Sequence, residues 1–207
     1  MAVDLDIKWA RFVSNIVSPP VVWGIFAIFL AAREAAQLTA IDGQPSRVWQ
    51  ALLWALIYVL LVCVMPVMFI AMRVRQGKIT DIHMPLRHER FAPFMATLAG
   101  AVITSILLYL MQATRSMQLL SLATILQVAL MSVITLYWQI SVHMIGISGA
   151  VVLVGLWFGV LYGALLSPLI AIVAMARLVL KRHTLTQVLV GALVGSLSIA
   201  AFAMLFG

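Results

Sequence analysis

Residues able to do chemistry are few in this chain, and they are not scattered. All four histidines, His83, His88, His143 and His183, fall in three short polar clusters: Arg73–Arg90 (RVRQGKITDIHMPLRHER), Ser141–Gly146 (SVHMIG) and Arg177–His183. Between Arg90 and Arg177 the only charged residue is Arg115. Several arginines, two histidines, one serine and hardly any carboxylates make an anion site. Guanidinium forks pair bidentately with phosphate oxygens. A neutral imidazole attacks phosphorus, and a protonated one serves the leaving oxygen. His183 and Gln187 are four residues apart, so on a helix the amide reaches the imidazole. Helix ends near lipid head groups attract polar residues for solvation alone, which suffices for His88, Lys181 and Arg182. It fits His143 poorly, because ionisable groups between long apolar runs are costly and usually functional.

The elements that must position these residues are membrane helices. Hydrophobic residues make up 65% of the 207 and charged residues 9%, against about 25% charged in soluble domains; mean hydropathy is +1.15. A span needs about 20 residues, so the expectation is an all-α, polytopic membrane helix bundle of six or seven transmembrane helices, forming a single domain over residues 1–207. Residues 1–17 read as an interfacial amphipathic helix with Ile7, Trp9, Phe12 and Val13 among charges. The mixed charges there argue for an uncleaved first span over a signal peptide. Spans are expected at about 19–32, closed by Arg33 and Glu34, then 48–72 with a kink at Pro66, 93–111, 118–139, 147–165, 168–180 and 184–206, with SVHMIG as a connecting loop. Gly191 and Gly195 would permit close helix packing. Cys63, the single cysteine, reads as a buried small hydrophobe.

Counting spans between clusters gives an even number each time, so all three clusters are expected on one membrane face. Lys8, Arg11, Arg73, Arg75, Lys78, Arg87, Arg90, Arg177, Lys181 and Arg182 fall on that side, against Arg33, Arg47 and Arg115 opposite. The positive-inside rule then places the site at the cytoplasmic face of a cell membrane. The net charge of +7 therefore reads as head-group preference, not nucleic-acid binding.

The spacing Arg177-LVLKR-His183-TLT-Gln187 followed by VLVGALVG, the pair Ser141-Val142-His143, and the pattern Asp81-x-His83-x-x-x-Arg87-x-Glu89-Arg90 with Pro93 nearby resemble three motifs of the type-2 phosphatidic acid phosphatase superfamily. That superfamily includes bacterial polyprenyl-diphosphate phosphatases, and the likeness is to a divergent bacterial branch, over about residues 78 to 206. The chain departs from the motifs at Gln187 (an aspartate in the family), Val142 (glycine), Ile140 (proline), Ala176 (serine) and His83 (lysine). The resemblance implies a lipid phosphatase or prenyl-diphosphate phosphatase. His183 would be the nucleophile, forming a phosphohistidine, and His143 the acid and later the base. Arg90, Arg177, Ser141 and Arg87 would hold phosphoryl oxygens. Gln187, Asp81, His83 and Glu89 would support them, Glu89 structurally. No metal or other cofactor is implied. The partners would be membrane lipid and an amphipathic lipid phosphate or diphosphate, with oligomeric state left open.

Two other readings stand beside it. A non-enzymatic protein of the same fold would bind an anionic lipid or serve as a subunit or transporter, which the loss of the aspartate at 187 favours. A metal enzyme built on Asp81, His83, His88 and Glu89 matches no standard zinc spacing. The twelve methionines are dispersed through apolar runs and read as packing.

Overall fold

The computed structural model describes residues 2–44, 46–82, 84 and 86–206. Among them the ordered elements are all helical: α1 (Ala2–Ile16), α2 (Pro19–Asp42), α3 (Ser46–Tyr58), a π turn (Val59–Val64), α4 (Met65–Arg75), a 3-10 turn (Arg87–Arg90), α5 (Phe91–Leu110), α6 (Arg115–Tyr137), α7 (Val142–Phe158), α8 (Val160–Leu166), α9 (Pro168–Val179) and α10 (Leu185–Phe206). Six segments are long and apolar enough to cross a membrane. The helix α7, at 17 residues, sits at the short end of the spanning range. The protein is an all-α, multi-pass membrane protein with six or seven spans. Its chain divides into two compact units, Met1–Val22 with Val133–Gly207, and Trp23–Ser132.

Several expected boundaries move. Arg33 and Glu34 do not close the first span, because α2 continues to Asp42 and Glu34 is buried within it. SVHMIG is not a loop: Ser141 is the N-cap and α7 begins at Val142. The next turn comes at Gly159, not at Ser167-Pro168. Gly159 has φ +117°, a conformation only glycine takes without cost. Ser167-Pro168 instead interrupts a single span, Val160–Val179, where the Ser167 hydroxyl donates to the Ala164 carbonyl at 2.8 Å.

In the first unit, α7 and α10 lie in parallel. Gly191 faces Ser141, and Gly195 faces Ile145 and Ser148. A Cβ on Gly195 would lie 2.8 Å from the Ile145 Cα and closer still to the Ile145 carbonyl and Ser148 Oγ. On the other side of α10, Leu189, Leu193 and Leu197 are exposed, as a lipid-facing surface requires. Met144, Ile147, Val151, Val173 and Val188 form the buried core between α7, α9 and α10, and Val13 and Val17 pack against it.

In the second unit, Pro66 explains the π turn. A proline in an α-helix has no N–H and its ring clashes with the carbonyl four residues back. Widening the preceding turn relieves the clash, and the Met65 N–H accordingly bonds back five residues to the Leu60 carbonyl. The next carbonyl, Leu61, faces Gly100 of α5 where any Cβ would collide with it. Thr124 donates its hydroxyl proton to the Leu120 carbonyl at 2.9 Å, so the buried Tyr58 hydroxyl is the donor in its 2.7 Å bond to Thr124. Cys63 is buried and reduced.

Gly195→Ala is expected to lower stability by about 1–3 kcal/mol through backbone overpacking. Gly24 is the control: its added Cβ meets only Cys63 Sγ at 3.6 Å and a Val59 methyl at 3.9 Å, so Gly24→Ala should be neutral or stabilising by up to about 1 kcal/mol. Thermal unfolding in detergent, followed by circular dichroism, separates the two.

Candidate functional site

The candidate residues divide between the two units. Ser141, His143, Arg177, His183 and Gln187 belong to the first, and Asp81, Arg87, Glu89 and Arg90 to the second. His83 lies outside the described residues.

The first set is gathered by three helix ends. The N-termini of α7 and α10 lie side by side, since the Ser141 N–H donates to the Gln187 carbonyl at 3.3 Å. A Cβ on Gly191 would come within 2.9 Å of the Ser141 carbonyl oxygen. The third end is the C-terminus of α9, which carries Arg177. There the chain closes with the Lys181 N–H on the Leu178 carbonyl at 2.9 Å and the Arg182 N–H on the Arg177 carbonyl at 3.2 Å. This is a Schellman motif, with Lys181 at φ +52° in the place glycine usually takes. The reversal turns the chain back at once, so His183 and the first turn of α10 follow directly on Arg177.

Gln187 is fixed twice over. Its Oε1 accepts the Thr184 N–H at 3.2 Å, while the Thr184 hydroxyl accepts the Gln187 N–H at 3.3 Å. The T-x-x-Q run Thr184–Gln187 is therefore a capping box at the start of α10. The same Oε1 faces His183 Nδ1 at 3.1 Å. A backbone N–H is a certain donor, so the atom it meets is the amide oxygen and His183 Nδ1 must also donate to it. In the neutral ring this leaves the lone pair on Nε2.

Burial sharpens the picture. Ser141 is 0% exposed, Arg177 2% and His183 8%; His143 is partly buried. Ser141 caps α7 by position, yet its side chain makes no capping bond, and its buried hydroxyl has no hydrogen-bond partner. Such a group is expensive to leave unsatisfied. His143 Nε2 meets the Ser14 carbonyl at 3.0 Å, and the Arg177 guanidinium donates to the Ser14 hydroxyl at 3.3 Å. Ser14, on α1, had no signal in the sequence: it belongs to no motif, and a backbone carbonyl has no side-chain signature.

In the second unit, Glu89 ties down the loop before it. Its carboxylate accepts the Thr80 N–H at 2.8 Å and the Thr80 hydroxyl at 3.0 Å. Arg90 is buried and donates from Nε to the Met84 carbonyl at 2.9 Å. Arg87 and His88 are exposed, and Asp81 is partly buried. No group of three or more His, Cys, Asp or Glu that could hold a metal ion occurs among the described residues.

Thr184→Ala removes one arm of the capping box and should cost about 1 kcal/mol. It should also loosen Gln187 and broaden the His183 ring resonance in a nitrogen-15 spectrum, whereas Thr184→Ser should keep both properties.

Compared with family models, curated proteins and solved structures, the chain has no match in any of the three.

Proposed function

We propose that this protein is an integral membrane phosphohydrolase that cleaves a lipid phosphate or prenyl diphosphate through a phosphohistidine on His183. The observation that carries the reading is electrostatic. Two helix N-termini, each with the positive end of its dipole, meet beside Arg177, His143 and His183, and the stretch from α7 to α10 that carries these residues contains no Asp or Glu. A buried hydroxyl without a partner, that of Ser141, lies at the same helix end. These groups suit an anion brought from outside, and helix N-termini are ready-made phosphate sites.

In this reading the Nε2 lone pair of His183 attacks phosphorus while Nδ1–H stays on Gln187. The bond from phosphorus to the leaving alkoxide or phosphate oxygen breaks, and His143 gives that oxygen a proton. Because His143 Nε2 donates to Ser14, the proton in transit is carried on Nδ1. His143 then takes a proton from water as it attacks the phosphohistidine, which frees His183 and inorganic phosphate. Arg177 and Ser141 hold the phosphoryl oxygens, where transition-state charge is spread. Arg87 and Arg90, assigned to phosphate by the resemblance, are not needed for this scheme. A site at the helix ends fits a substrate whose anionic head reaches the bundle mouth while its tail stays in lipid. The distribution of Lys and Arg favours a cytoplasmic opening.

One observation favours a second reading, a membrane protein that binds an anionic lipid without hydrolysing it. The capping box accounts for Gln187 with no catalytic duty. Phosphate release from a prenyl diphosphate and from phosphatidate in detergent decides between them. Turnover that persists in EDTA and vanishes in His183→Ala supports the hydrolase, and absence of turnover on every lipid phosphate sinks it. Gln187→Glu keeps the capping box and supplies the missing carboxylate. It should raise kcat about tenfold, since one such charge contributes on the order of 1.4 kcal/mol.

A further inference from the structure

Ser14 lies in the last turn of α1 and is 1% exposed. Two side chains of the site end on it, each on a different atom. His143 Nε2 is 3.0 Å from its carbonyl oxygen, and an Arg177 guanidinium nitrogen is 3.3 Å from its hydroxyl. A carbonyl only accepts, so the His143 nitrogen facing it carries the proton. That carbonyl is one of the last four of α1, for which the helix has no N–H of its own. It also bears the negative end of the helix dipole, which favours a positively charged partner.

The second half of α1 packs into the first unit. Ala10 is fully buried, and Val13 and Val17 pack against the core of Met144, Val151 and Val173. Gly146 of α7 closes the far side of the turn: a Cβ there would lie 3.2 Å from Pro19. The opposite face of α1 exposes Trp9, Phe12 and Ile16.

We propose that Ser14 is the positioning residue of the anion site, acting through Arg177 and His143 and not by touching the substrate. This rests on the phosphoryl-site reading above. Its hydroxyl holds one guanidinium nitrogen of Arg177, so an incoming phosphoryl group meets a guanidinium already oriented. Its carbonyl selects the Nε2–H form of His143 and leaves Nδ1 as the atom that exchanges protons.

The two functions are separable, because substitution removes the hydroxyl and leaves the carbonyl. In the full-length protein in detergent, binding of inorganic phosphate is measured by thermal shift. KM, kcat and the pH profile of kcat are measured on a prenyl diphosphate. Ser14→Ala should weaken phosphate binding and raise KM about tenfold, the size of one hydrogen bond to a charged group. The acid limb of the kcat profile should stay where it is in the unchanged protein, and Ser14→Thr should restore binding. If Ser14→Ala fails to fold, Ser14→Cys, nearly the same size but a weak acceptor, takes its place with the same expectation. Wild-type phosphate affinity in the folded Ala or Cys variant overturns the role of Ser14 and leaves the phosphohydrolase reading intact. Phosphate binding without lipid phosphate turnover defeats the hydrolase reading, yet the variant's affinity still decides the role of Ser14. No phosphate binding by the unchanged protein overturns both.

Discussion

The first unit depends on a backbone-to-backbone approach between α7 and α10. Helices in lipid gain nothing from hiding apolar surface from each other, so close packing and hydrogen bonds decide how they associate. Gly191 and Gly195 stand one turn apart on α10 and replace side chains with bare backbone against Ser141, Ile145 and Ser148. Because the two helices run parallel, this contact also sets their register. The Ser141 N–H meets the Gln187 carbonyl, so the N-cap of α7 lies beside the first turn of α10. A slip of one turn would carry Gln187 about 5.4 Å along the axis and break that bond. The placement of Gln187, the partner of His183, beside Ser141 is thus a consequence of two missing Cβ atoms well inside the bundle.

That register has an electrical result. Each helix N-terminus is equivalent to about half a positive charge, and the two lie together with Arg177 beside them. The helices α7 to α10 contain no Asp or Glu. The hydroxyl of Ser14 accepts from Arg177, and its carbonyl faces His143. These two contacts are to neutral oxygens, which orient the groups they hold. In the second unit the opposite arrangement holds, since both oxygens of Glu89 are engaged by Thr80 and the carboxylate pins a loop.

The spans, the clustering of polar residues and the pairing of His183 with Gln187 were legible because they rest on composition and on spacings of a few residues. The turn at Gly159 was not. It falls in an unbroken apolar run, and its one sign is a glycine among several others whose role is packing. Ser167-Pro168, which looks like a boundary, is a kink, because a span can lose one N–H and keep its course. SVHMIG fell between two expected spans, yet Gly146 lies inside α7 where Pro19 packs closely. Arg33 and Glu34 looked like a span end because charge usually leaves the bilayer, but α2 carries both onward. Ser14 was invisible for a different reason: half its contribution is a carbonyl, which every residue possesses.

Gln187 draws these strands together. At the third position of a capping box either Glu or Gln serves, so the fold does not demand the neutral side chain. In the phosphohydrolase reading the choice has a kinetic meaning. A carboxylate there would stabilise the imidazolium that forms as His183 takes up phosphorus, a charge absent before attack. Such an interaction acts in the transition state alone and raises kcat. It would also place a negative charge beside the incoming phosphate and weaken its attraction to the two helix ends and Arg177. With the amide, the anion is attracted in full, while the developing positive charge meets only a dipole. Binding that is equal in the ground and transition states lowers KM without raising kcat. In that reading the site holds its anion firmly and turns it over slowly.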